Sequence, residues 1–211
     1  MSATTLTERL FDDSDTGTID PCSLFEEWFA LAQQSEPNDP HAMALATVDE
    51  HGMPAVRMVL LNQRDARGYC FFTNFESDKG RELLANPRAA FVMHWKSLRR
   101  QIRVRGPVEV VADKEADAYF STRARVSQIG AHASKQSRPL ANRYALLERV
   151  ETLQKSFRED EPVNRPANWS GFRVIPEVME FWRDGANRLH DRVRFTRTLP
   201  DGAWSRQRLY P

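Results

Sequence analysis

The sequence predicts a mainly β, α+β fold in which helices cover an antiparallel, Greek-key-like barrel. Many short β-rich runs are separated by turns that contain Asp and Gly, and the helices are inserted between strands instead of alternating with them. The chain has only 9 glycines and no Gly-x-Gly-x-x-Gly motif. A Rossmann sheet is therefore not expected, and any phosphate should be held by side chains.

The pattern of apolar residues places the individual elements. Asp20-Pro21 begins a helix in which Leu24, Trp28 and Leu31 recur at helical spacing. Further helices are predicted over 77–84, 113–122 and 140–157, and residues 123–137 are expected to be irregular. Strands are predicted over 42–48, 55–61, 69–73, 90–95, 101–111, 171–175, 178–182, 193–198 and 203–209.

The domain organisation is simple. Residues 1–18 are rich in Thr, Asp and Ser and are predicted to form a flexible N-terminal arm. Residues 19–211 are expected to form a single domain, a size that can bury a substantial core.

Composition excludes several classes of function. A net charge of +1 gives no overall attraction to nucleic acid or acidic membranes, and the apolar runs are too short to span a bilayer. Cys22 and Cys70 have no metal or redox spacing and are expected to be free thiols in the cytoplasm. The histidines have no metal-ligand spacing, so no metal is expected.

Two candidate clusters for binding an anion lie in the first half of the chain. Arg57 is on a predicted strand shortly before Leu61 and Asn62. In residues 72–81 a strand ends and a helix begins at Ser77, so hydroxyls, free N–H groups and Lys79 could bind a phosphate. An ordinary capped helix with solvated charges would show the same pattern.

Two more clusters lie in the second half. Residues 123–130 and 134–137 supply cations, hydroxyls and amides, although a solvated basic loop would do the same. In residues 181–192, Arg188, His190 and Arg192 would share one face if the backbone were extended. Such a face could bind an anion and handle a proton, whereas a lone histidine is more often structural.

In combination, these segments resemble the pyridoxine 5′-phosphate oxidase family over residues 20–211. The residues that carry the resemblance are 44–49, 57–61, 72–74, 100–101, 127–130, 134–137, 181–182 and 188–192. The resemblance implies an FMN-binding split β-barrel and a homodimer with FMN at the subunit interface.

The resemblance also implies the ligand contacts. Arg188 and His190 are the implied catalytic residues, beside the pyridine ring of the substrate. The substrate is implied to contact Asn62, Tyr119, Arg123, Ser127, Arg188, Leu189 and His190. FMN is implied to contact Arg57, Met58, Val59, Leu60, Leu61, Phe72, Thr73, Lys79, Gln101, Gln136, Ser137, Trp182 and Arg192.

The implied reaction oxidises pyridoxamine or pyridoxine 5′-phosphate to pyridoxal 5′-phosphate, with O2 as electron acceptor and H2O2 as product. The flavin supplies the electron chemistry, and the protein supplies orientation and charge.

The chain departs from the family pattern at three places. Asn62 stands where the family has a lysine for the substrate phosphate, and Asp78 stands where an arginine often helps to bind the FMN phosphate. The N-terminal arm lacks the Arg and Tyr pattern that closes over substrate in some relatives.

These departures leave alternatives open. A related flavin oxidase could act on another small cyclic substrate, as in phenazine pathways, or the chain could bind flavin without turnover. The basic run 99–105 could indicate nucleic-acid binding, but its alternation with Ile102 and Val104 is typical of a strand with one solvated face.

Overall fold

Antiparallel strands form the framework of this computed structural model, which describes residues 4–158, 160–199 and 201–211. The strands are β1 (Ala42–Val48), β2 (Pro54–Leu60), β3 (Gln63–Asp65), β4 (Gly68–Asn74), β5 (Arg88–Trp95), β6 (Arg100–Val110), β7 (Trp169–Val174), β8 (Val178–Arg183), β9 (Asp191–Thr196) and β10 (Ser205–Leu209). The helices are α1 (Leu6–Phe11), α2 (Pro21–Ser35), α3 (Asp78–Ala85), α4 (Asp113–Thr122), α5 (Arg125–Ala133) and α6 (Arg143–Ser156).

Strand β6 belongs to both halves of a curled sheet. Its first part pairs with β5 on one side and β8 on the other, and its last residues, Val108 to Val110, pair with β7. The strand order is β10-β9-β8-β6-β5-β1-β2, while β7 continues to β4 and β3. This arrangement confirms the α+β class and the antiparallel barrel predicted from the sequence.

Aromatic side chains from α2 fill the main core. Trp28 is fully buried and meets the ring of Phe181 edge to face, with centroids 5.2 Å apart. Phe25 packs against Tyr69 at 4.6 Å. Helix α2 begins as predicted, because Pro21 is its first residue and the Asp20 carboxylate accepts N–H bonds from Cys22 and Ser23.

The predicted N-terminal arm contains a packed helix. Thr5 caps α1 and forms a reciprocal pair of hydrogen bonds with Glu8, and the Thr-x-x-Glu spacing at residues 5–8 is the sequence signal for this helix start. Leu10 is buried, and the Thr7 hydroxyl accepts a 2.7 Å hydrogen bond from Trp28 Nε1. This segment is therefore anchored where a loose arm was expected, while residues 1–3 of the arm lie outside the described part of the chain.

Residues 123–137, predicted as irregular, contain α5. Ile129 and Ala133 are buried on one face of this helix, and Gln128 Nε2 donates a 3.0 Å bond to the Phe120 carbonyl. The single Gly130 favours a loop in the sequence, but burial of this apolar face stabilises the helix across it. The remaining predicted elements are confirmed with shifted ends, and β3 was not predicted.

We expect the adjacent leucines of α3 to differ sharply in their contribution to stability. Leu83 is 1% exposed in the main core, whereas Leu84 is 53% exposed. Leu83→Ala should lower the free energy of unfolding by about 2–5 kcal/mol, since it leaves a cavity. Leu84→Ala should change it by about 0.5 kcal/mol or less. Urea unfolding of both variants at one protein concentration checks this, and equal losses would contradict the assigned burial.

Candidate functional site

A cleft of about 540 Å³ lies beside β2, β4 and the start of α3. It brings together most of the candidate residues from the first half of the chain with candidate residues from α4, from α5 and from the segment that follows α5. Its lining residues are Met58, Val59, Leu60, Asn62, Phe72, Thr73, Asn74, Lys79, Tyr119, Arg123, Ser127, Gly130, Ala131, Ser134, Gln136 and Trp169. We call it the central cleft.

Three stacked rings form one wall of the central cleft. Phe72 contacts Tyr119 at a centroid distance of 4.1 Å and Trp169 at 5.4 Å, the Tyr119 and Trp169 centroids are 6.3 Å apart, and all three planes are within 14° of parallel. Gly171 is opposite Phe72 on the paired strand, where an added Cβ would come within 2.7 Å of the ring. Glycine at this position therefore lets Phe72 lie against β7.

Arg123 places a positive charge on the same wall. Its guanidinium carbon is 4.7 Å from the Trp169 ring centroid, and its buried Nη1 has no hydrogen-bond partner among the described residues. Burial lowers the pKa of Arg123, with the nearby Tyr119 acting in the opposite direction. An unpaired, partly desolvated guanidinium beside the Ser127 hydroxyl is suited to binding an anionic group.

Lys79 supplies a second cationic group to the central cleft. Its Nζ donates to Thr73 Oγ1 at 3.3 Å and to Gln136 Oε1 at 3.2 Å. Burial, and then repulsion by Arg57, lower the pKa of Lys79. Ser137 lies close by, at the N-terminus of α3, where its Oγ accepts the Asp78 N–H at 3.2 Å.

Two charged residues near Lys79 are already paired. Asp78 Oδ1 contacts the Arg81 guanidinium at 2.5 Å, although the Asp78 charge also acts on Lys79 and opposes the lowering of its pKa. Arg57 contacts Glu82 at 3.0 Å and also donates to Thr47. Lys79 is therefore the less neutralised cation of this part of the cleft.

Asn62 has a local structural role in addition to lining the central cleft. Its side-chain oxygen accepts the Phe72 N–H at 3.2 Å, which links the end of β2 to β4. Leu61, in contrast, is 4% exposed and packs its side chain into the main core, so a ligand could reach only its backbone.

A separate cleft of about 450 Å³ is lined by some of the candidates near the C-terminus, namely Leu189, His190 and Arg192, but not by Trp182 or Arg188. Trp182 packs against the His190 ring at 4.7 Å and is paired with Gln101 across β6 and β8. Arg192 is held by the buried carboxylate of Glu180 at 2.7 Å. The lining residues of this C-terminal cleft are Leu189, His190, Asp191, Arg192, Arg208, Leu209, Tyr210 and Pro211.

Arg188, His190 and Arg192 would share one face only if the backbone were extended from 188 to 192, and it is not. Residues Ala186–Arg188 form a 3₁₀ turn in which Asn187 and Arg188 have φ of 57° and 65°, and β9 begins only at Asp191. The turn closes tightly, since a Cβ at Gly185 would lie 2.0 Å from the Leu189 carbonyl oxygen. Arg188 thus projects from a turn, and only Arg192 is on the strand.

Several lining residues of the central cleft are not predicted from the sequence. Trp169 is the first residue of β7, whereas the sequence predicts that this strand begins at Gly171. A single aromatic residue at the start of a strand does not by itself indicate a ligand site. Asn74, Gly130 and Ser134 belonged to segments that were recognised, but they were not predicted to contact a ligand. Within the described ranges, no three His, Cys, Asp or Glu side chains are grouped as metal ligands, and none of the helices is long and apolar enough to cross a membrane.

Two family models cover most of the chain. Residues 31–157 match the model described as pyridoxamine 5′-phosphate oxidase. Residues 169–211 match the model described as the C-terminal dimerisation region of pyridoxine 5′-phosphate oxidase.

Full-length relatives carry similar names. Proteins named pyridoxine/pyridoxamine 5′-phosphate oxidase from Rhizobium leguminosarum bv. trifolii and Agrobacterium fabrum are 57% and 54% identical to this chain, each over 100% of both chains.

Solved structures show the same fold. PhzG from Burkholderia lata, crystallised with tetrahydrophenazine-1-carboxylic acid, is 31% identical with a TM-score of 0.86, covering 96% of this chain and 98% of that one. A pyridoxamine 5′-phosphate oxidase-related, FMN-binding protein from Nostoc punctiforme has a TM-score of 0.74 at 15% identity, covering 92% and 100%, and supports the split-barrel fold alone. From the family models and the full-length relatives, the chain belongs to the pyridoxamine 5′-phosphate oxidase family of oxidoreductases.

Proposed function

We propose that the chain is an FMN-dependent oxidase of pyridoxamine 5′-phosphate and pyridoxine 5′-phosphate. The alcohol and O2 give pyridoxal 5′-phosphate and H2O2, and the amine additionally consumes water and releases ammonia. The observation that carries this proposal is the presence of two separate cationic groups, around Lys79 and around Arg123, in one cleft with an aromatic wall. Two phosphate esters bound together require two such groups.

The central cleft has a donor set that fits FMN. Lys79, Thr73, Gln136 and Ser137 would hold its phosphate near the start of α3, where backbone N–H groups favour an anion. The backbone and side chains of residues 57–61 would lie along the isoalloxazine ring. When bound, FMN supplies the acceptor that takes a hydride from C4′ of the substrate and is reoxidised by O2.

Arg123, Tyr119 and Ser127 would bind the phosphate of the substrate. The orphaned Arg123 Nη1 supports this assignment, because a buried guanidinium N–H without a partner is costly until an anion pairs with it. Burial also raises the pKa of Tyr119, so its hydroxyl remains a proton donor.

The second half of each site would come from another copy of the chain. His190 and Arg192 line a different cleft from Arg123 within one chain. On β2, Val56 and Met58 are 67% and 63% exposed, an apolar edge that a partner and a flavin would cover. We infer a homodimer in which Trp182, Arg188, His190 and Arg192 of one subunit complete the central cleft of the other.

A second candidate function is oxidation of a phenazine precursor. Its support is the similarity to PhzG at 31% identity and the neutral Asn62 in the phosphate region. The 57% identity to proteins named as phosphate-vitamer oxidases and the unpaired Arg123 favour the first candidate.

The direct test is aerobic incubation of the FMN-loaded protein with pyridoxamine 5′-phosphate. Equal amounts of pyridoxal 5′-phosphate and H2O2 should form. An FMN-loaded protein that gives neither product with the amine or the alcohol would refute the proposal, and turnover of tetrahydrophenazine-1-carboxylic acid alone would select the second candidate.

Arg123→Gln and Lys79→Ala should separate the two phosphate sites. We expect Arg123→Gln to raise the KM for pyridoxamine 5′-phosphate at least about tenfold, since it removes a charge-assisted bond. Lys79→Ala should instead raise the FMN dissociation constant, measured by flavin fluorescence. Each variant is the control for the other, and identical effects of both would contradict the assignment.

Asn62→Lys should strengthen binding of the substrate phosphate. A cation at this position would add one charge-assisted bond and lower KM by about tenfold. Asn62→Leu, which also breaks the bond to Phe72, serves as a structural control. An unchanged or higher KM in the lysine variant would show that position 62 does not face the phosphate.

Mixed dimers should reveal a site that is shared between subunits. Arg123→Ala and His190→Ala are each expected to be nearly inactive alone. If the two residues serve one site from different subunits, unfolding and refolding an equal mixture should restore about a quarter of wild-type activity, because half the dimers are mixed and each has one intact site. No recovery in correctly refolded mixed dimers would place both residues in the same subunit's site.

A further inference from the structure

Glu180, in the middle of β8, is a buried carboxylate surrounded by three arginines. It is 4% exposed, and its Oε1 accepts hydrogen bonds from Arg192 Nε at 3.0 Å and from Arg192 Nη2 at 2.7 Å. Its Oε2 accepts a longer bond from Arg194 at 3.4 Å, and Arg103 Nη1 is 3.6 Å from Oε1. A desolvated carboxylate requires such partners, and its shortest bonds are those to Arg192.

The strand register shows that Arg192 is not the direct neighbour of this carboxylate. Glu180 is opposite Arg103 on β6 and opposite Arg194 on β9, whereas Arg192 is two residues along β9, opposite Trp182. Diagonal neighbours in a sheet are farther apart than residues that are directly opposite. The Arg192 side chain therefore extends along the sheet to reach Glu180, and this diagonal pair is closer than either direct pair.

A second acceptor holds another nitrogen of the same guanidinium. Arg192 Nη1 donates to the Tyr210 carbonyl at 3.0 Å, just after β10. An arginine has five N–H donors, so three are engaged here and two have no partner among the described residues. The Arg192 side chain is 24% exposed and lines the C-terminal cleft, where a ligand can reach it. Its orientation is thus fixed before any ligand binds.

We propose that Glu180 is a positioning residue that holds Arg192 in the orientation in which it contacts FMN. The inference rests on the proposed oxidase function, in which Arg192 of one subunit completes the central cleft of the other, and it adds a residue that does not itself contact a ligand. A long arginine side chain that is ordered in advance loses less conformational entropy when FMN binds.

Charge compensation within the sheet is the alternative role for Glu180. A carboxylate that only balanced the three arginines would stabilise the fold whether or not Arg192 was present. A positioning residue, in contrast, affects FMN through Arg192 alone. The two roles therefore predict different results when both residues are changed together.

The test is a double-mutant cycle on the FMN dissociation constant. The full-length wild type, Glu180→Gln, Arg192→Gln and the double variant, each shown to be dimeric by sedimentation, are titrated with FMN and followed by flavin fluorescence. Glu180→Gln keeps the side-chain size but loses the charge-assisted bonds, so the constant should rise about five- to tenfold. In the Arg192→Gln background, the same change should alter it less than about twofold.

Two further variants complete the test. Glu180→Asp keeps the carboxylate and should recover part of the affinity that Glu180→Gln loses. The matched control is Glu26→Gln, which breaks the exposed ion pair with Arg64 on α2 and should bind FMN like the wild type.

Each outcome bears on the proposal. Wild-type affinity in Glu180→Gln, or an equal loss of affinity in both backgrounds, overturns it, and so does wild-type affinity in Arg192→Gln. If Glu180→Gln does not fold, Glu180→Asp takes its place, and its smaller loss must likewise disappear in the Arg192→Gln background. If the cycle shows this coupling but the FMN-loaded wild type oxidises no phosphorylated vitamer, the proposed function fails while the positioning role of Glu180 stands.

Discussion

Strand β6 is the constraint on which the rest of the structure depends. Because it pairs with β5, β7 and β8, it holds the two parts of the sheet at a fixed angle and separates the residues that each part presents. The β4–β7 side carries the aromatic wall of the central cleft, and the β8–β9 side carries Trp182 and Arg192. A single chain therefore presents two separate clefts, which the proposed two-fold dimer would bring together.

The attraction of the central cleft for anions depends on which of the nearby cations lack a carboxylate partner. Arg57 and Arg192 have carboxylate partners at hydrogen-bonding distance, so much of their charge is balanced within the chain. Lys79 and Arg123 are bonded to neutral groups or stacked on a ring, and burial lowers the pKa of both. Desolvated cations that have no carboxylate at hydrogen-bonding distance are more strongly attracted to an incoming dianion than exposed, paired cations are.

Much of the fold could be predicted from the sequence, because period-two alternation and Asp- or Gly-containing turns are local signals. The helix start at Asp20 is equally local. Helix α5 could not be predicted, since it depends on packing against Phe120 and Trp169, which are close only in the folded chain. The prediction of an extended backbone at Arg188 was wrong for a related reason. Two non-glycine residues adopt positive φ there because the surrounding contacts impose it. The family motifs identified most of the lining residues of the central cleft, but a contact such as that of Glu180 with Arg192 depends on tertiary geometry.

The two ends of the chain are joined by several bonds. Arg208 contacts Asp13 and the Phe11 carbonyl, and Arg206 donates to the Asp15 carbonyl. Arg208 also contacts Asp191, beside His190. Loss of the first fifteen residues would thus remove these contacts of β10, which would then be held by its pairing with β9 alone, and would loosen the surroundings of His190. Sequence divergence in this N-terminal segment could in this way tune turnover without altering any residue that touches a ligand.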